Sequence, residues 1–181
     1  FWAVAMLAAI GAAVIFLAVP RDVQFQASSM GAILDVLRNL RTMFAIAFTA
    51  TFITALTIVF TFFGPLTEAS VGANPEIRTF FLVLYGLGAV VGNQIGGYLT
   101  DRIGGRNTLA ILCIAQTLIM PVFSVIPLAP VAFAVLVGIW SAFAWSFTAP
   151  QQSRLVQIAP EAISLALALN AAMIYVGIAL G

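Results

Sequence analysis

Six apolar runs divide this chain, and its few charges fall between them: Phe1 to Val19, Met43 to Leu66, Thr79 to Thr100, Thr108 to Ile126, Val131 to Ala149 and Ala162 to Gly181. A helix needs roughly 17 to 25 predominantly apolar residues to cross the hydrocarbon layer of a bilayer, and each run meets or approaches that length. Membrane strands would instead alternate apolar and polar residues over about ten positions, which no run does. The expected fold class is all-α, a polytopic transmembrane helical bundle of six spans. With 63% hydrophobic and 7% charged residues, the 181-residue chain lacks the charged surface a soluble domain of that size requires. The lipid bilayer is its expected environment.

The same composition removes several function classes. All seven basic residues are arginines, balanced by six acids, and they form no basic patch interleaved with aromatics, so nucleic acid is not an expected partner. There is no histidine, and the lone Cys113 lies inside an apolar run, which excludes an intrachain disulfide and argues against a zinc site. Cys113 reads as a small apolar filler. No span centre holds Asp, Glu, Lys, Arg or His, so the nucleophile, base or metal constellation of an intramembrane enzyme is not expected, and neither is a cofactor. The chain opens on Phe1 and stops at Gly181 inside apolar runs, with no initiator Met or basic leader. The expectation is a fragment, rather than a mature chain behind a signal peptide.

Orientation follows from the loops, because Arg and Lys accumulate at the cytoplasmic ends of spans. Arg21, Arg38 and Arg41 lie between the first and second runs, Arg102 and Arg106 between the third and fourth, and Arg154 between the fifth and sixth. The alternate connections hold only Arg78, beside Glu68 and Glu76, and the uncharged turn Pro127 to Pro130. The arginine-bearing side is expected to be cytoplasmic. The long connection from Pro20 to Thr42 carries Met30, Ile33, Leu34, Leu37 and Leu40 at helical spacing against Asp35, Arg38 and Arg41, and predicts an amphipathic interfacial helix capped by Ser28 or Ser29.

The most informative stretch is GAVVGNQIGGYLTDRIGGR, Gly88 to Arg106. Gly88, Gly92 and Gly96 recur every fourth residue, so they share one helix face and predict close packing of a neighbouring backbone. Asp101 and Arg102 then meet the membrane boundary, Gly104 and Gly105 permit a tight turn with positive φ, and Arg106 opens the next helix. Asp101 is placed to pair with Arg106 or with the positive N-terminal end of an adjacent helix, a latch that must open if the helix ends separate.

In Gly97, Asp101, Arg102, Gly104 and Arg106 the chain resembles the major facilitator superfamily, whose cytoplasmic signature sets Gly, Asp, Arg, Gly and Arg between the second and third helices of each half. Here the pattern follows the third apolar run, and a long basic connection precedes the second. The resemblance therefore implies family helices six to eleven: residues 1–19 as the last helix of the N-terminal half, 20–42 as the central cytoplasmic linker, and 43–181 as five helices of the C-terminal half, with the remainder of the carrier absent. The stretches VLRNLRTMFAIAF, Val36 to Phe48, and APQQSRLVQIAPEAISLALALNAAMIYVGIALG, Ala149 to Gly181, look like the entry to helix seven and the ten-to-eleven junction of bacterial drug and sugar efflux members. The resemblance implies secondary transport of a small organic molecule by alternating access, as proton-coupled efflux across the bacterial inner membrane. A permease or scaffold subunit serving another complex is the alternative.

The resemblance also implies a substrate site near the midplane, lined by family helices seven, eight, ten and eleven. Thr54, Thr57 and Thr61 share one face of the second run, and Ser141, Trp145 and Thr148 share one face of the fifth, a turn beyond Gly138. Asn170 in the sixth run is the foremost polar candidate, since an amide facing lipid is costly; Tyr175, Asn93 and Gln94 are lesser ones. A charge-free wall suits neutral or amphipathic solutes, and protons, as the coupling ion, would need a carboxylate outside these residues. Serine and threonine are also satisfied by the carbonyl one turn back, and Trp140 and Trp145 by packing.

Overall fold

The computed structural model describes residues 2–18, 30–72, 75–125 and 127–181. They form helices α1 (Trp2–Ala18), α2 (Met30–Arg38), α3 (Leu40–Thr61), α4 (Phe63–Val71), α5 (Pro75–Ile103), α6 (Gly105–Ile119), α7 (Pro130–Trp145), α8 (Thr148–Ile158) and α9 (Ile163–Leu180), with short 3-10 turns at Met120–Ser124 and Pro160–Ala162. No strand occurs among the described residues. Five helical stretches there are long and apolar enough to cross a membrane: Leu40–Thr61, Pro75–Ile103, Gly105–Ser124, Pro130–Ile158 and Pro160–Leu180. The first expected span is represented by α1, 17 apolar residues of which none is buried.

Three of the expected runs are interrupted, and proline accounts for each. A proline inside a helix removes the bond to the carbonyl four residues back and crowds it. Pro65 stands four residues after Thr61, and the second run breaks at Phe62 into α3 and α4. Pro121 stands four after Thr117, and α6 tightens into the 3-10 turn at Met120. Pro150 stands four after Ser146, but there helix resumes after the break at Ser146–Phe147, so the fifth span runs on through α8 to Ile158 instead of ending at Ala149.

Two pairs of parallel helices make the bundle. In the first, Gly88, Gly92 and Gly96 of α5 lie on Gly138 and Ala142 of α7 and on Ser146 just beyond its end, a second stripe of small residues with the same four-residue spacing. A Cβ at Gly92 would collide with the Ala142 carbonyl, and one at Gly96 with that of Ser146, so the backbones touch. In the second pair, Gly177 of α9 and Gly181 just beyond it lie against the Ala50 and Thr54 carbonyls of α3. Aromatic residues fill the interior at the end remote from the Gly104 turn, where Trp140 stacks on Phe63 and meets Phe123 edge-on. Phe52, Phe147, Leu109 and Leu112 form the middle layer, and Ala45, Ile46 and Leu155 the opposite end. Outward, Phe80, Leu87, Val90 and Ile114 are exposed, the arrangement suited to lipid rather than water.

The amphipathic helix falls at α2, where Val36 is buried, while Leu34, Leu37 and Leu40 of the expected apolar stripe are exposed. Asn39 separates α2 from α3 and caps the latter, its Oδ1 accepting from the amides of Arg41 and Thr42 at 3.1 and 3.3 Å. Ser28, Ser29 and Arg21 lie outside the described residues.

Candidate functional site

A cavity of about 380 Å³ opens between the two helix pairs. Its walls are apolar and aromatic: Ile53, Leu56 and Phe60 from α3, Tyr85 from α5, Trp145 and Phe147 from α7 and the break beyond it, and Ile174 and Ile178 from α9. Tyr85 and Trp145 meet edge to face at 6.4 Å, and Phe52 stacks on Phe147 at 4.3 Å behind the wall. The polar lining is Thr57, Thr148, Gln151, Gln152 and Asn170, none of them charged.

At one margin three buried polar side chains from three helices meet. The Gln151 Nε2 of α8 donates to the Ala45 carbonyl at 2.7 Å and to Thr49 Oγ1 at 2.8 Å, both on α3. The Thr49 hydroxyl donates to Asn170 Oδ1 of α9 at 2.5 Å, and Gln151 Nε2 lies 3.3 Å from that same oxygen. Gln151 Oε1 is buried without a partner. Hydrogen bonds of this kind are the means by which polar side chains join helices in lipid.

Of the residues singled out from sequence, Thr57, Trp145, Thr148 and Asn170 line the cavity. Thr54 donates to the Ala50 carbonyl one turn back, as Thr57 does to that of Ile53, both at 2.8 Å. Thr61 donates to the Gly181 carbonyl at 3.2 Å. Ser141 is fully buried against Gly88 in the α5–α7 seam, not at the cavity. Asn93 is exposed and bonds to the Ala89 carbonyl; Gln94 and Tyr175 are exposed too. Trp140 is buried in the aromatic layer. Sequence reasoning passed over Thr49, Gln151 and Gln152. The available signal was two adjacent glutamines just beyond an apolar run, within one helical turn of Thr148.

The Gly-rich turn joins α5 to α6 through Gly104 at φ 81°, ψ 154°, a region essentially restricted to glycine. Gly105 is buried against the Pro150 carbonyl, so the turn abuts the start of α8. Gly97 faces open space, Arg102 lies over the Tyr98 ring at 5.2 Å, and Asp101 and Arg106 are exposed. The expected Asp101–Arg106 ion pair is not formed; Arg78 and Glu68 do pair, at 3.9 Å and largely exposed. Such an exposed pair contributes little, about 0–1 kcal/mol.

The sequence profile described as Major Facilitator Superfamily matches residues 1–181. Among curated proteins, the chain is 25% identical over its full length to the "Uncharacterized MFS-type transporter YbcL" of Bacillus subtilis, covering 46% of that protein. It is 29% identical over 127 residues, 70% of its length, to the "Inner membrane transport protein YdhP" of Escherichia coli, covering 32% of that protein in both the O157:H7 and K12 strains. The chain thus spans less than half the length of these relatives. No solved structure matches it.

Proposed function

This chain belongs to the Major Facilitator Superfamily, and on that premise we propose that it forms one wall of a secondary active carrier for a small organic molecule. It is part of an integral, multi-pass membrane protein. The observation that carries the transport reading is the uncharged cavity between the two parallel helix pairs, a concave, mostly apolar space with a few convergent polar groups. Backbone contact along the glycine stripes makes each pair a stiff unit, suited to rocking as a body while the cavity exchanges sides.

Proton-coupled efflux across a bacterial inner membrane is the direction and drive we favour, on the likeness to efflux members and to a relative named as an inner membrane transport protein. The coupling acid is then supplied by the rest of the full-length protein, since the cavity lining here has no carboxylate. The Gly97, Asp101, Arg102, Gly104 and Arg106 turn is assigned to the cytoplasmic gate, with Asp101 exposed to pair with a facing element of the full-length protein.

Inside-out vesicles carrying the full-length protein test this. Respiring vesicles should accumulate members of a panel of labelled neutral drugs and sugars, lose that uptake with a protonophore, and lose most of it with Asp101→Asn at equal membrane content. Uptake indifferent to the protonophore would overturn proton coupling. Vesicles matching empty-vector controls across the panel would overturn the transport reading.

A further inference from the structure

The polarity of the Gln151–Thr49–Asn170 chain is set at one end by a backbone carbonyl, and it determines what the other end offers the cavity. A carbonyl oxygen only accepts, so Gln151 must turn its amide NH₂, and not its oxygen, toward Ala45 at 2.7 Å. A second N–H of the same nitrogen then reaches Thr49 Oγ1. With that oxygen occupied as an acceptor, the hydroxyl hydrogen goes to Asn170 Oδ1. The Thr49 hydroxyl bond ends on the Asn170 oxygen, which also faces Gln151 Nε2 at 3.3 Å, so the other branch, Nδ2, is left for the cavity that Asn170 lines.

The neighbouring threonines show what Thr49 would otherwise do. Thr51, Thr54 and Thr57 each donate to the carbonyl four residues back, the usual resting state of a helical threonine. For Thr49 that carbonyl is Ala45, which Gln151 bonds. Without Gln151 the Thr49 hydroxyl would turn back onto Ala45, its lone pairs would face Asn170, and the asparagine amide would reverse to present oxygen to the cavity.

We propose that Gln151 is a positioning residue that, through Thr49, holds the Asn170 N–H toward the cavity, so that the site selects a neutral, flat solute bearing a hydrogen-bond acceptor. The aromatic walls from Phe60, Tyr85, Trp145 and Phe147 supply the stacking surface, and none of the described lining residues carries a charge to pair with an ion. This rests on the cavity being the substrate site of the carrier.

The test uses purified full-length protein and two bicyclic aromatic probes that are neutral at pH 7.4: quinoline, which only accepts a hydrogen bond, and indole, which only donates one. Equilibrium dialysis should show quinoline bound about 10-fold more tightly than indole, the scale of one buried hydrogen bond. Gln151→Met should abolish or reverse that preference, and Asn170→Leu should abolish it through weaker quinoline binding. Wild-type protein that binds quinoline no better than indole, or not at all, overturns the proposal even if neither variant inserts. An undiminished preference in Gln151→Met does so as well. Dialysis needs no gradient, so a carrier that transports yet shows no such preference loses this inference alone, leaving the transport reading intact.

Discussion

Gly92 of α5 lies so close on the Ala142 carbonyl of α7 that no Cβ fits between them. Substituting leucine there forces the helices apart, whereas Gly86 on the same helix faces open space. Gly92→Leu should therefore lower stability by about 2 kcal/mol or more, in the range of overpacking, and Gly86→Ala should change it by no more than about 1 kcal/mol. Thermal unfolding of the full-length protein in detergent compares them; equal melting temperatures would dismiss the α5–α7 seam as a close-packed contact.

Gly104 adopts φ 81°, ψ 154° between α5 and α6, a backbone state nearly closed to L side chains although nothing crowds its Cα. Gly104→Ala should cost about 1–3 kcal/mol from backbone strain alone. Gly97→Ala, a helical site with equal room, serves as the reference. If both variants melt together, the turn does not need the glycine.

Pro150 denies Ser146 its helical partner and opens the break from which α8 sets off toward α3. Pro150→Ala restores an N–H at that position, which should straighten the span and draw Gln151 away from Ala45. Spin labels at the exposed positions Phe44 and Val156, in a Cys113→Ser background, should move apart. An unchanged distance distribution would show that packing, and not the proline, sets the bend.

Gln116 is buried in α6 with a long bond of 3.4 Å from Nε2 to the Trp140 carbonyl and no partner for Oε1. A half-satisfied buried amide contributes little and costs its desolvation. Gln116→Leu should accordingly leave stability unchanged or raise it by about 1 kcal/mol, as read by the same melting assay. A clear loss would mean that the Gln116 amide contributes a net stabilising contact.

The membrane-spanning helices were legible in the sequence because lipid imposes a length and a composition that nothing else in the chain satisfies. The glycine ridge was legible for a similar reason, and its partner stripe Gly138, Ala142 and Ser146 less so, since alanine and serine carry no such signal alone. The polar node was not. Thr49 and Asn170 are 121 residues apart, and only the parallel packing of α3 and α9 joins them. Gln151 escaped attention because Pro150 read as the end of a span, when the helix only breaks and resumes. Face sharing misled at Ser141, one turn before Trp145: the same arc of α7 is wide enough to bury one residue in the α5 seam and leave the next on the cavity.

The parallel pairing of helices that are not consecutive has a consequence for synthesis. Made from its N-terminus, the chain places α5 in the bilayer before α7 exists, so the glycine face must wait through all of α6 with lipid or the insertion machinery as its neighbour. The wait is longer for α3, whose Thr49 and Ala45 meet Gln151 only when α8 has been made and Asn170 only with α9. Pairing of α3 with α9 is therefore a late event, and a nascent chain halted before residue 163 would hold α3 without the Thr49–Asn170 hydrogen bond that ties it to α9.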